Sequence, residues 1–179
     1  MTTTLEVGLE REREFLRAVG RHRVLGFTGT QRGLSPQQIF FVQMFVREFT
    51  RQCDLLREAA LGRHGCCVGA DEQFHRMGTF GNVPMITHPG HIPEKTSTSC
   101  SGVFHHLPRN TLERNQLVVS RSWALLVCPS TDVEQVRSGT WATIRYARRV
   151  RKPHVQVNLD GTSLVRHADA ALSEIMRRM

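Results

Sequence analysis

The chain has 179 residues, enough for one well-packed domain and short for two. Its 24 basic and 16 acidic side chains give a formal charge of +8, which favours an anionic partner without deciding between a mononucleotide and a polynucleotide. The five cysteines are odd in number and form no C-x-x-C pair, which supports neither a disulfide framework nor a zinc knuckle; no apolar run approaches the roughly 20 residues that span a bilayer.

Residues 5–20 carry Leu5, Leu9, Phe15, Leu16 and Val19 among Glu/Arg pairs, the pattern of an amphipathic leading helix that covers one face of a sheet. Val24-Leu25-Gly26-Phe27 reads as the first buried strand, followed by the turn Thr28-Gly29-Thr30-Gln31-Arg32-Gly33. Ser35-Pro36 starts a helix, with Ser as N-cap and Pro in the first turn, and helical spacing continues to about residue 61. Gly65-Cys66-Cys67-Val68 is expected as the second strand, with the two cysteines pointing to opposite faces, and Gly69-Ala70-Asp71 leads into a short helix through Phe74. Residues 83–87 read as a third strand, and 88–108, crowded with Pro, Gly, Ser, Thr and His, as a long loop.

A helix is expected from Thr111 to about Arg121, and Trp123 to Cys128 is an unbroken apolar run suited to a strand covered on both faces. Helix Gly139 to about Arg149, strand 153–157 and a closing helix 164–178 complete the chain. Strands alternating with helices predict a Rossmann-like three-layer α/β sandwich with a mainly parallel sheet of five or more strands, as one domain over 1–179. The Met1 to Leu5 start lacks the layout of a secretion signal, and a cytoplasmic protein is expected.

In such a sheet, the loops after strands one, two and four meet at the carboxyl edge, where open α/β proteins bind ligands. The first supplies Gly29, Thr30 and Gln31; it is not G-x-G-x-x-G, which disfavours a standard dinucleotide site. The second supplies Gly69 and Asp71, where Asp71 serves either as a cap or as an acceptor for a ribose or base. The third runs from Pro129 to Ser138-Gly139-Thr140, a small-residue turn opening a helix, whose unpaired N–H groups and dipole favour a phosphate. Arg114, in the first turn of its helix, and Arg137 are further phosphate candidates.

His88, at the end of the third strand, borders the ligand in this reading. His88, His91, His105 and His106 lie in an irregular stretch that lacks the frame of a metal site. Neither a metal nor a cofactor is expected.

Leu112-Glu113-Arg114-Asn115, Trp123 to Pro129, Ser138-Gly139-Thr140 and Lys152-Pro153, together with Gly26 to Thr30 and Gly69-Ala70-Asp71, resemble the SLOG superfamily of Rossmann-like nucleotide-binding proteins over roughly residues 24–158. That group takes in the LOG phosphoribohydrolases and the DNA-processing protein DprA, and the likeness is greatest to small SLOG proteins of bacteria and their phages. The resemblance implies a nucleotide or nucleotide-derived ligand, a homodimer or higher oligomer, and N-glycosidic cleavage with Arg114 at the arginine position and Asp71 as the available carboxylate. The catalytic glutamate of LOG members falls on Thr143, which cannot supply a carboxylate. Two non-catalytic alternatives stand beside cleavage. One is a nucleotide sensor or sponge; the other is single-stranded nucleic-acid binding of the DprA kind, in which Trp141 stacks on a base.

Overall fold

The computed structural model describes residues 4–179; Met1 to Thr3 and the Leu5 side chain, part of the expected leading segment, lie outside the described residues. The strands are β1 (His22–Gly29), β2 (Ala59–His64), β3 (Met85–Thr87), β4 (Phe104–His105), β5 (Ala124–Cys128), β6 (His154–Val157) and β7 (Ser163–Arg166). The helices are α1 (Thr4–Val19), α2 (Pro36–Leu56), α3 (Ala70–Phe80), α4 (Thr111–Ser120), α5 (Gly139–Arg149) and α6 (Ala170–Arg178). The strands form one sheet in the order β4-β3-β2-β1-β5-β6-β7, parallel throughout except for the antiparallel β6–β7 pair. The expected Rossmann-like three-layer architecture is observed, with two more strands than were read individually.

Alternation along the strands divides the core. On one face, Leu25, Phe27, Leu126 and Val155 pack with Phe45 and Phe49 of α2, Phe74 of α3 and Leu172 and Ile175 of α6. On the other, Leu125 and Val127 meet Val118 of α4 and Ile144 of α5, while Val24, Leu61 and Ile86 meet Leu16 and Val19 of α1. At about 25 cal/mol per Å², each fully buried Leu, Ile or Phe contributes about 2 kcal/mol.

The start of α2 is set as its sequence indicates. Ser35 accepts from the Gln38 N–H at 3.1 Å, and the Gln38 side chain accepts from the Ser35 N–H at 3.1 Å, a reciprocal capping box. Gln38 also donates to the carbonyls of Pro129 and Val157, both at 3.0 Å, which ties α2 to the ends of β5 and β6.

Three elements differ from expectation. Helix α2 stops at Leu56 because Arg57 takes a left-handed conformation (φ 55°) and turns its N–H back to the last carbonyls. The second strand is Ala59–His64 rather than 65–68, so Cys66 and Cys67 lie beyond the strand, with Cys66 itself left-handed (φ 55°). The sequence of β2 carries alanines and two fully buried polar residues, Arg63 and His64, so its position between β1 and β3 overrides a weak β-signal. Residues 163–166 form β7 instead of beginning the closing helix. The chain reverses at Asn158 to Gly161, where Gly161 has φ +86°, and α6 starts only at Asp169, whose carboxylate accepts from the Leu172 N–H at 2.8 Å.

Helix α1 is pinned to the sheet by buried charge. Glu12 accepts from Arg63 Nη2 at 2.5 Å and from His106 Nε2 at 2.6 Å; all three residues are buried. Burial alone would raise the Glu12 pKa, but the His106 hydrogen bond and the Arg63 charge outweigh it and hold the carboxyl down to about 2. Among the described residues, no helix is long and apolar enough to cross a membrane.

Candidate functional site

Strand β1 sits between β2 and β5, so successive crossovers leave it in opposite directions and open a crevice at its carboxyl end. A cleft of about 490 Å³ lies there, lined by Thr28 to Arg32 at the end of β1 and just beyond it, Cys67 and Asp71 after β2, and Ser130 and Arg137 to Thr140 after β5. Thr111, Arg114 and Asn115 of α4 and Gly90, Ile92, Lys95 and Thr96 of the 88–108 segment close it. The three strand-end loops therefore share one cleft.

At the start of α5, Ser138 accepts from the Trp141 N–H at 3.3 Å, a bond that leaves the serine's own proton available. Gly139 and Thr140 come too early in the helix to have an i−4 carbonyl partner, so their N–H groups form the positive end of α5 at the cleft. The Thr140 hydroxyl instead donates to the Gly29 carbonyl at 2.8 Å and joins the α5 start to the end of β1. Across the cleft, Thr30 accepts from the Arg32 N–H at 3.2 Å.

Arg114 is 4% exposed, and its guanidinium lies against the backbone of Gly65, where a Cβ would coincide with Nη1. Nη1 is 3.8 Å from Asp71 Oδ2, and Nη2 donates to Cys67 Sγ at 3.2 Å. Asp71 Oδ2 accepts from the N–H groups of Gly65 at 3.1 Å and Cys67 at 3.2 Å. Burial pushes the Asp71 pKa up, while Arg114 and the backbone N–H groups pull it back. Among the described residues lining the cleft, Asp71 is the one carboxylate, set against Arg32, Lys95, Arg114 and Arg137. It caps nothing with its side chain; it folds the 65–67 loop and holds the arginine.

Gly29, Thr30, Gln31, Asp71, Arg114, Ser138, Gly139 and Thr140 thus converge, whereas Gly69, Pro129 and His88 do not line the cleft. Gly69 acts through its backbone: with φ +87° and a Cβ position blocked by the Gln31 carbonyl, it lets the first and second loops touch. Pro129 is turned toward α2, its carbonyl held by Gln38. His88 is buried beneath α1, accepting from Arg63 Nη1 at 3.0 Å and stacked on His106 at 4.1 Å. Burial, then the Arg63 charge, holds it well below the usual histidine range and therefore neutral.

Trp141 is 3% exposed and packs with α4 and β5, so it offers no face to a base. The Thr143 hydroxyl donates to the Gly139 carbonyl at 2.9 Å, an intrahelical bond with no catalytic carboxylate in its place.

Several buried polar residues gave no signal in the sequence pattern: Glu12, Arg63, His64 and Cys100. His64 ends β2, its Nε2 2.9 Å from His75 Nδ1 and its Nδ1 accepting from the Cys66 N–H at 3.1 Å. Burial, with His75 and Arg114 alongside, pushes its pKa down to about 3. Only the sheet register, which sets His64 against Thr87, reveals that this end of β2 is packed.

No family model matches the chain, and no curated protein matches it in sequence. Solved structures do. The molybdenum cofactor binding protein of the phototrophic bacterium Rippkaea orientalis superposes with a TM-score of 0.57 at 16% identity, covering 89% of this chain and 85% of that one. The molybdenum cofactor carrier protein of Chlamydomonas reinhardtii gives 0.53 at 14% identity, over 76% and 77%. DNA processing protein A of Streptococcus pneumoniae gives 0.55 at 14% identity, over 91% of this chain but 58% of its own. At these identities the likeness is one of fold alone: a Rossmann-like α/β domain with a mostly parallel sheet.

Proposed function

We propose that the chain is a SLOG-like protein that binds a phosphate-bearing small molecule, a nucleotide or nucleotide derivative, in the cleft at the carboxyl edge of its sheet, without cleaving it. The observation that carries this reading is the convergence of the α5 N-terminus, the Gly29 to Gln31 corner and the buried Arg114 guanidinium on one basic cleft. Helix-terminal N–H groups and an arginine fork are both suited to phosphate oxygens. The phosphate sits at Ser138 to Thr140, and Arg114 reaches a second anionic or hydroxyl group.

Binding without turnover is favoured by the carboxylate inventory. N-glycosidic cleavage needs an acid or base aimed at the reacting atoms. Asp71 is engaged by two backbone N–H groups and Arg114, and Thr143 supplies no substitute. Single-stranded nucleic-acid binding is disfavoured because, among the described residues, none that lines the cleft is aromatic, whereas strand binders stack bases on aromatic rings.

The test is a thermal-shift and calorimetric panel of nucleoside 5′-monophosphates, diphosphates, free molybdenum cofactor and short oligonucleotides. The reading expects a mononucleotide-class ligand to raise Tm and to be recovered intact by chromatography. Release of free base restores cleavage. A steeply salt-dependent response to oligonucleotides alone assigns the cleft to strands, and a response to molybdenum cofactor alone narrows the ligand to that group.

A further inference from the structure

Behind the cleft wall lies a second cluster of chemically active side chains. His64 is the last residue of β2, Cys66 follows two positions on, and Cys100 arrives from the 88–108 segment ahead of β4. One donor atom from each lies within 4.8 Å of the other two, and all three residues are buried. We propose that His64, Cys66 and Cys100 form a binding site for a thiophilic divalent cation, with zinc as the occupant.

The donor chemistry selects the ion. Two thiolates and an imidazole match zinc, and hard oxygen-seeking cations such as magnesium and calcium are poorly served by sulfur. The surroundings support the ligands as outer partners should. The His64 Nε2–H faces His75 Nδ1 at 2.9 Å, which fixes the tautomer and leaves the Nδ1 lone pair as the donor; loading trades the bond from the Cys66 N–H for a coordinate bond. The Cys66 and Cys100 sulfurs lie within 4.8 Å of each other, with the Thr87 hydroxyl beside Cys66 and the Ser97 hydroxyl beside Cys100. On loading, each thiol gives up its proton to solvent and its sulfur lone pair to the cation.

The other cluster of metal-ligating type among the described residues, Glu12, His88 and His106, differs in a decisive respect. Arg63 already bonds both Glu12 and His88 and supplies the positive charge there, so a cation has no electrostatic place.

A cation at His64, Cys66 and Cys100 cross-links the two loops of one cleft wall. The Ser97 N–H donates to the Cys66 carbonyl at 2.7 Å, Cys67 pairs with Thr96 in a β-bridge, and Cys67, Lys95 and Thr96 all line the cleft. The site is thus a brace for the ligand cleft, and its occupancy is measurable without any knowledge of the ligand.

The experiment uses the full, untagged chain grown with zinc and purified under reducing conditions without chelator. Elemental analysis is expected to return one zinc per chain, and cobalt(II) exchanged into the protein is expected to give sulfur-to-metal charge-transfer bands with intense tetrahedral d–d bands. Cys66→Ser and Cys100→Ser each lose the metal at least tenfold, whereas Cys53→Ala, remote in the α2 core, retains it. Should the serine variants fold poorly by circular dichroism, the cobalt spectrum of the unmodified chain decides alone. Absence of bound zinc after refeeding, a cobalt spectrum without thiolate bands, or full metal retention in the folded Cys66→Ser/Cys100→Ser double variant overturns the proposal. So does a Cys66–Cys100 disulfide in the reduced preparation.

Discussion

Gly139→Ala separates the stability of α5 from the function assigned to its N-terminus. A Cβ built on Gly139 meets nothing within 4 Å, and its φ lies outside the left-handed region, so alanine fits the backbone. Replacing glycine in a compatible helical conformation restricts the unfolded chain and is worth about 0.5 kcal/mol, or roughly 1–2 °C in Tm for a chain of this size. The added methyl faces open space beside the N–H groups of Gly139 and Thr140, where a phosphate oxygen would have to approach. Charge-assisted hydrogen bonds are worth about 1.5–3 kcal/mol each, and weakening this pair by about 2 kcal/mol lowers affinity roughly 30-fold. The assay is calorimetric titration with whichever mononucleotide gives the largest thermal shift, run beside unliganded melting curves. The expected result is an unliganded Tm at or slightly above that of the unmodified chain with markedly weaker binding. Unchanged affinity in a fully folded Gly139→Ala protein would refute the phosphate assignment at α5.

Arg114→Met keeps the bulk of the side chain and removes its charge; it should weaken ligand binding by about 1.5–3 kcal/mol, read by the same titration, and unchanged binding removes Arg114 from the site. Gly65→Ala tests the same residue from behind, because the new methyl occupies the position of Nη1, and the expected outcome is loss of binding comparable to Arg114→Met. In acid, Glu12 links α1 to pH: its folded pKa of about 2 lies below the ordinary 4.5, so its stabilisation is complete above pH 4.5 and is lost as pH falls toward 2. The gap corresponds to about 3 kcal/mol, visible as a fall in denaturant midpoint over that window. Glu12→Gln should abolish this component and destabilise the chain by about 3–5 kcal/mol at pH 7 by leaving Arg63 buried without a counter-charge, and a variant as stable as the parent contradicts the clamp.

Much of the frame was legible because it rests on local chemistry. The Ser35-Pro36 start and the Ser138-Gly139 start are caps whose residue types act within one turn, and both helices begin there. Trp123 to Cys128 is apolar on both faces because β5 is covered on both, so the pattern reports its central place. The meeting of Gly29, Asp71, Arg114 and Gly139 followed from the order of strands and helices, since parallel crossovers deliver every strand end to one edge.

What failed was decided at a distance. β2 reads poorly because Ala59 to His64 holds two buried polar residues whose partners lie on other elements: Arg63, whose charge is met by Glu12 of α1, and His64, which faces His75 of α3. His88 looks like an edge residue in sequence, yet α1 folds over it. Asp71 and Thr140 both line the cleft, but which hydrogen bonds they spend on neighbouring loops, and so whether they remain for a ligand, depends on partners brought together only by folding. Periodicity, caps and turns are short-range properties, so the chain by itself determined its layers and the edge at which its strand-end loops meet. The pairing of buried charge, the His64, Cys66 and Cys100 cluster and the hydrogen bonds that engage Asp71 are long-range properties, and tertiary packing alone decided them.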